Sequence, residues 1–334
     1  MRSKFLSACA SLFLLLLTGC GGTSFSQGVR NSEINVLTGL PGKNGPVVAV
    51  KFDDTREAHP QDGVEKADVV FVTEVEGGLT RLMAIYSSEI PEQLAPIRSA
   101  RISDIDILAQ FGRAGFIYSG SQRKMRPILA NANLVNMSAE RNPATIFFND
   151  PNRITPYAMT VRTTPLLAKH PEIEKVKPIG YTFGKLTERS MPVIEVDVRW
   201  PNARYTLRWK KEERRFVIDH NGMADLAVSG KQLGSNCMII QMVEIHPSEF
   251  HDKVGGITPK STVVGSGVAY LLRDGTVTKV KWTRKNPEST TQWSLEDGSP
   301  APFATGQVWF LLTDKEPEFQ YASAPETKSS GSTK

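Results

Sequence analysis

Short apolar runs set the strongest limit on how this chain can fold. In the first half they lie at residues 47–52, 69–72, 82–86 and 116–118. Continuous runs of this length are typical of strands that are covered on both faces. Apolar residues at helical spacing predict a helix over residues 98–111, and a second helix is predicted over 124–129. The first half is therefore expected to be an α/β domain with a mixed or parallel sheet.

The second half has a different pattern. Apolar and polar residues alternate at 194–198 and 204–209, and Asp274-Gly275 lies between two apolar runs as a hairpin turn does. This half is expected to be mostly antiparallel β, an α+β fold. A length of 334 residues suits two domains. We place an N-terminal domain at 34–162, a connector at 163–178 and a C-terminal β-rich domain at 179–321.

The first twenty residues indicate a cellular location. Arg2 and Lys4 precede an apolar run at residues 5–17, which is too short to span a bilayer and suits a signal peptide. The run ends in Leu-Thr-Gly-Cys at 17–20, the pattern of a lipobox. We therefore predict a lipoprotein signal peptide at 1–19 and lipidation of Cys20, which anchors the protein at the extracytoplasmic face of the cell membrane. The alternative is a plain secretory signal with a chance cysteine.

The segments next to these regions are small and polar. Residues 20–33 are predicted to be a flexible tether, and residues 322–334 a disordered tail. Loss of the signal peptide leaves 38 basic against 35 acidic residues, a charge of +3. No basic run carries interleaved aromatic residues, so nucleic acid is not expected as a partner. Cys237 then has no partner cysteine and is expected to be a buried thiol.

Several sequence motifs resemble those of the YerB-like bacterial lipoproteins. The most specific is Pro-Ile-Arg-Ser-Ala-Arg at 96–101, and the others lie at 37–41, 60–63, 67–69, 76–81, 265–269, 273–275, 281–282 and 306–309. The resemblance implies a lipid-anchored envelope protein of two paired domains, without a settled activity. The chain departs from the family at Pro156-Tyr157-Ala158, where family members tend to have Pro-His-Asn. No role of that histidine carries over to this chain.

Acidic residues follow two predicted strands. Asp53 and Asp54 end the run at 47–52, and Glu74 and Glu76 follow the run at 69–72. Ligands of open α/β sheets gather at the carboxyl ends of the strands, where these carboxylates could bind a hard cation or act as acid and base. The alternative is that acidic residues end strands because they favour loops.

Basic residues form a second candidate group. Pro96 favours a helix start, which places Arg98, Ser99 and Arg101 near free N–H groups that attract an anion. Arg81 follows a Gly-Gly turn and is expected to join them, and Arg153 is a further candidate. The alternative is that these arginines form internal ion pairs between helix and sheet, with Glu76–Arg81 as the expected bridge.

Recognised catalytic and metal motifs are absent from the sequence. The five histidines form no His-Glu-x-x-His pattern, and there is no Cys-x-x-Cys, nucleophile elbow or Walker loop. We therefore predict no metal site and no cofactor.

Two functions remain open. The first is a non-catalytic envelope protein that binds an anionic ligand, either a cell-wall polymer or an envelope protein, through its arginines. The second is an envelope hydrolase or transferase that acts on an anionic glycan or a phosphate-containing substrate through the strand-end carboxylates. Whether the protein is an enzyme therefore stays undecided by the sequence.

Overall fold

A computed structural model of the chain describes residues 33–186 and 190–322. The predicted signal peptide, Cys20, nearly all of the tether and nearly all of the tail lie outside these residues. Among the described residues, no helix has the length and apolar character that crossing a membrane requires.

From residue 33 onward, the first half contains three short α-helices and eight strands. The helices are α1 Ile102–Ala109, α2 Arg126–Asn131 and α3 Thr163–Leu167. The strands are β1 Val48–Asp53, β2 Val69–Glu74, β3 Thr80–Tyr86, β4 Gln93–Leu94, β5 Ala114–Ile117, β6 Leu134–Asn136, β7 Phe147–Asn149 and β8 Met159–Arg162. β1 pairs antiparallel with β3 and parallel with β5, so the sheet is mixed, as predicted.

The second half consists of strands in its described residues. They are β9 Thr182–Phe183, β10 Met191–Trp200, β11 Ala203–Lys210, β12 Arg215–His220, β13 Met223–Ala224, β14 Gly234–Ser235, β15 Cys237–Met242, β16 Ile245–His251, β17 Ile257–Ser261, β18 Gly265–Arg273, β19 Thr276–Arg284, β20 Gln292–Ser294, β21 Pro302–Phe303, β22 Val308–Thr313 and β23 Glu318–Tyr321. Most pairs among them are antiparallel, which confirms the predicted class.

One sheet joins the two halves. Its main path runs β13-β12-β11-β10-β19-β18-β15-β22-β2-β3-β1-β5-β6. β22, near the end of the chain, lies between β15 and β2 and is parallel to both. The hydrophobic core covers both faces of this sheet, with Val48 and Val50 on one face and Val47 and Ala49 on the other. The domain limits drawn from the sequence stay a prediction.

The first helix begins later than the sequence pattern indicates. Residues 98–101 precede α1 as extended chain, because the Arg98 N–H donates to the Lys51 carbonyl and the Ser119 N–H donates to the Arg98 carbonyl. Pairing with β1 and with the chain after β5 therefore replaces the first predicted helical turn. The Asp104 carboxylate accepts the Arg101 N–H at 2.6 Å and caps the helix that follows.

Candidate functional site

The carboxyl end of β1 places two adjacent carboxylates on opposite faces of the sheet. Side chains alternate along a strand, so Lys51 and Asp53 share the face on which α1 packs. Asp54 follows on the other face, where its Oδ2 accepts the Tyr205 hydroxyl at 2.7 Å. The four strand-end acids therefore do not form one group.

A buried ion pair, Lys51 with Asp104, lies on the same face of the sheet as Asp53. Lys51 Nζ lies 2.6 Å from Asp104 Oδ1, and both side chains are fully buried. Lys51 also donates to the Thr73 hydroxyl at 3.1 Å. Burial lowers the pKa of Lys51 in spite of Asp104. No sequence motif predicted this pair, although a lone lysine inside an apolar run is a signal of a buried partner.

Arg98 contacts both Asp53 and Tyr157. Its Nε is in ion-pair contact with Asp53 Oδ2, and its guanidinium lies 5.6 Å from the centre of the Tyr157 ring. The Arg98 side chain is 24% exposed, whereas that of Asp53 is buried. Tyr157, the position where the chain departs from the YerB-like pattern, therefore contacts Arg98, which is more exposed than Arg81 or Arg101.

Arg101 pairs with Glu76. Its Nε lies 2.6 Å from Glu76 Oε1, and a Glu76 carboxylate oxygen also accepts the Thr258 hydroxyl. Burial raises the pKa of Glu76, but the bonds from Arg101 outweigh it and hold that pKa below its usual range. The predicted Glu76–Arg81 bridge is therefore wrong: Glu76 pairs with Arg101, whose side chain reaches it from the extended chain before α1.

Arg81 lies opposite Asp53 in the β1–β3 pair, yet it does not bind a carboxylate. Its guanidinium donates to the Ser99 carbonyl at 2.9 Å. Among the described residues it forms no ion pair, since Asp53 is taken by Arg98 and Glu76 by Arg101. Burial and the neighbouring charge of Arg101 lower the pKa of Arg81 to about 9. Arg81, Arg98 and Arg101 are called the arginine cluster below.

The other predicted residues have separate contacts. The Ser99 hydroxyl lies 3.3 Å from that of Ser119. Arg153 donates to the carbonyls of Ala58 and Pro60 and so holds the loop after β1. Burial, with the nearby charge of Asp314, raises the pKa of Glu74. Of the sequence candidates, the structure brings together Asp53, Glu76 and the arginine cluster with Ser99.

The arrangement can hold an anion but is poorly suited to acid–base chemistry. Asp53 and Glu76 are both paired with guanidinium groups, and the bonds from Arg101 hold the pKa of Glu76 below its usual range, which makes Glu76 a weak base. Arg81 is a buried cation with hydrogen-bond donors in a fork that fits phosphate or carboxylate. Arg98, beside it, is partly exposed.

The fold defines a class of β-rich proteins built from an N-terminal mixed sheet and a C-terminal antiparallel part. The chain belongs to the DUF3048 family: residues 37–176 match "Protein of unknown function (DUF3048) N-terminal domain". Residues 195–310 match "Protein of unknown function (DUF3048) C-terminal domain". The two matched regions correspond to the two parts of the sheet that β22 connects.

The chain is similar to YerB of Bacillus subtilis (strain 168), a protein whose name describes it provisionally as a lipoprotein. The two are 35% identical over 103 residues, which cover 29% of this chain and 31% of that relative. The alignment thus spans about a third of the curated relative. The crystal structure of YerB from Bacillus subtilis matches with a TM-score of 0.71 and 21% identity, and covers 86% of this chain and 100% of the solved one. This likeness shows the fold.

Proposed function

We propose that this protein is a membrane-anchored lipoprotein of the cell envelope that binds an anionic ligand at the arginine cluster. The anchor is supported by the lipobox ending at Cys20, which lies outside the described residues, and by the lipoprotein name of the YerB relative. Two acyl chains on such a cysteine suffice for stable attachment, whereas one does not. The folded part then lies on the extracytoplasmic side of the membrane.

The observation that carries the binding proposal is the buried Arg81 guanidinium, which has no carboxylate partner within residues 33–186 and 190–322. Around it, four cations face three carboxylates: Lys51, Arg81, Arg98 and Arg101 against Asp53, Glu76 and Asp104. A buried charge without a compensating charge raises the free energy of the folded state. An anion beside Arg81 and Arg98 would therefore stabilise the folded protein.

The ligand chemistry follows from these groups. Guanidinium groups bind phosphate and carboxylate through paired N–H donors, and the Tyr157 ring holds Arg98 at the solvent side. We therefore propose a phosphate- or carboxylate-bearing ligand, such as a cell-wall polymer or an acidic segment of an envelope protein. A non-catalytic role is favoured because Asp53 and Glu76 are engaged in ion pairs.

Titration with inorganic phosphate at constant ionic strength tests the proposal. Arg98→Gln should weaken phosphate binding about tenfold or more, because one charge-assisted hydrogen bond contributes about 1.5–3 kcal/mol. The control is Arg214→Gln, since the Arg214 side chain is 82% exposed and forms its ion pair with Asp274 in the C-terminal family region. If both variants bind phosphate as the wild type does, or if no phosphate binding occurs, the anion site is refuted.

A further inference from the structure

A second polar group, formed by Asp54, His59 and His220, lies on the face of the sheet opposite to Asp53. Asp54 follows β1, His59 follows a short 3-10 turn at Arg56–Ala58, and His220 ends β12. His59 and His220 are 161 residues apart in the chain, yet their ring nitrogens are 3.1 Å apart. Because the two histidines are so far apart in the chain, no short histidine motif in the sequence could reveal this group.

The three side chains converge on one point. His59 Nε2 lies 3.4 Å from Asp54 Oδ1 and 3.1 Å from His220 Nδ1. The three ligand atoms all lie within 4.8 Å of one another. A tetrahedral zinc ion with bonds of about 2.0–2.1 Å keeps its ligand atoms about 3.3 Å apart. The two separations that involve His59 Nε2 therefore match two edges of a tetrahedral site.

Outer contacts orient two of these groups. His59 Nδ1 lies 2.8 Å from Asp225 Oδ1, so a carboxylate holds the ring nitrogen that faces away from His220. Such a carboxylate–histidine contact commonly orients a metal-binding imidazole. Asp54 Oδ2 accepts the hydroxyls of Tyr205 at 2.7 Å and Thr80 at 2.5 Å, which turns Oδ1 toward His59.

The buried charge is incompletely compensated. The side chains of Asp54 and Asp225 are both fully buried, and both contact the single imidazole of His59. Asp225 Oδ2 is buried and has no hydrogen-bond partner among the described residues. The His59 side chain is 17% exposed, which provides a route from solvent. Two carboxylates that share one histidine favour an added cation.

We propose that Asp54 Oδ1, His59 Nε2 and His220 Nδ1 bind a divalent transition-metal ion of the zinc type. Two imidazole nitrogens and one carboxylate oxygen are a donor set that Zn²⁺ prefers, and a water molecule completes four-fold coordination. Asp225 is a positioning residue for His59. Asp54 and His59 belong to the N-terminal family region and His220 to the C-terminal one, so the ion ties the two regions together.

The rival arrangement is a metal-free cluster in which His59 is protonated between the two carboxylates. Burial lowers the pKa of His59, but its bonds to Asp225 and Asp54 outweigh this and raise that pKa to about 10. In that arrangement the imidazolium supplies the positive charge, and added zinc has no effect on the fold.

Zinc titration of the chelator-treated full chain in detergent tests the proposal. The expected results are one Zn²⁺ bound per chain and a rise in melting temperature. His220→Asn, which removes the imidazole ligand, should abolish both effects. His246→Asn is the matched control, since His246 is exposed and lies outside the group, and it should bind as the wild type does. Asp225→Asn keeps all three ligands and should weaken zinc binding about 10- to 100-fold.

Cobalt provides a readout that needs no substitution. Co²⁺ bound in a tetrahedral site absorbs visible light far more strongly than the hydrated ion, so the wild type should develop this spectrum and lose it on addition of zinc. If His220→Asn fails to fold, the cobalt spectrum decides the matter. An unchanged melting temperature with zinc, together with no cobalt spectrum, would overturn the proposal in favour of the imidazolium cluster. Equal zinc binding by wild type and Asp225→Asn would refute the positioning role of Asp225.

Discussion

Asp53 and Asp54 are adjacent in the chain but face opposite sides of one sheet. Asp53 contacts Arg98 on the side of α1, and Asp54 contacts Tyr205 on the other side. The alternation of side chains along a strand is the cause. The end of β1 thus contributes a carboxylate to each of two polar groups, the proposed anion site and the proposed metal site.

Arg101→Lys should lower the stability of the folded protein. The Arg101 and Glu76 side chains are only 12% and 7% exposed, and lysine does not reproduce the planar contact of guanidinium with carboxylate. We expect a loss of about 1–2 kcal/mol in the free energy of unfolding, measured by urea denaturation. Arg126→Lys, in the exposed pair with Glu140, serves as the control and should change little. Equal effects of the two substitutions would show that the buried pair contributes no more to stability than the exposed pair.

Glu76 should make the protein less stable in acid. Its pKa is lower in the folded state than the ordinary value of 4.5. Its contribution to the free energy of unfolding is therefore fully present above pH 4.5. That contribution is lost as the pH falls through the folded-state pKa, because protonation ends the ion pair with Arg101. Denaturation curves of wild type and Glu76→Gln should therefore converge as the pH drops below 4.5. A constant difference between the two curves across this pH range would contradict the assignment.

Lys51→Met should destabilise the protein strongly. The substitution leaves the fully buried Asp104 carboxylate without its cation, and loss of one partner of a buried pair costs about 3–5 kcal/mol. Adding Asp104→Asn removes the stranded charge, so the double variant should recover part of the loss. Urea denaturation of the wild type, Lys51→Met, Asp104→Asn and the double variant forms a double-mutant cycle. The absence of recovery would mean that Asp104 is compensated by another group.

Gly275→Ala should cost more stability than Gly298→Ala. Both glycines have a positive φ, +73° and +86°, which disfavours any residue with a Cβ. At Gly275 that Cβ would also lie 2.7 Å from Trp209 Nε1, whereas nothing lies within 4 Å at Gly298. We expect an additional loss of about 1–3 kcal/mol at Gly275, seen as a lower melting temperature. Similar melting temperatures would show that the Trp209 ring moves aside freely.

Cys20→Ala should release the protein from the membrane. Without the thiol no diacylglyceryl group can be attached, so the protein loses both acyl chains. Fractionation of cells followed by immunoblotting measures the distribution between the membrane and soluble fractions. Cys237→Ala is the matched control, since that thiol is buried in β15 and should not affect the location. A Cys20→Ala protein that stays with the membrane fraction as the wild type does would refute the lipid anchor.

Local features of the sequence determined the class of the fold. The run at 47–52 becomes β1 because its residues are apolar on both faces, and Asp274-Gly275 forms a hairpin turn because both residues adopt positive φ. The lipobox at residues 17–20 is likewise a local pattern, and the lipid anchor that it predicts stays a proposal. For β1 and the hairpin turn the physical cause lies within a few residues, so the sequence alone was enough to predict these two elements.

The tertiary structure decided which polar and charged side chains contact one another. Arg98 lies in extended chain because its N–H pairs with the Lys51 carbonyl of β1, a contact that helical spacing cannot show. Glu76 pairs with Arg101 although Arg81 is nearer in sequence. His59 meets His220 across 161 residues because β12 is carried to the sheet face that Asp54 occupies. Such pairings depend on which strands become neighbours, and strand order is set by burial of the whole core, not by any local run of residues.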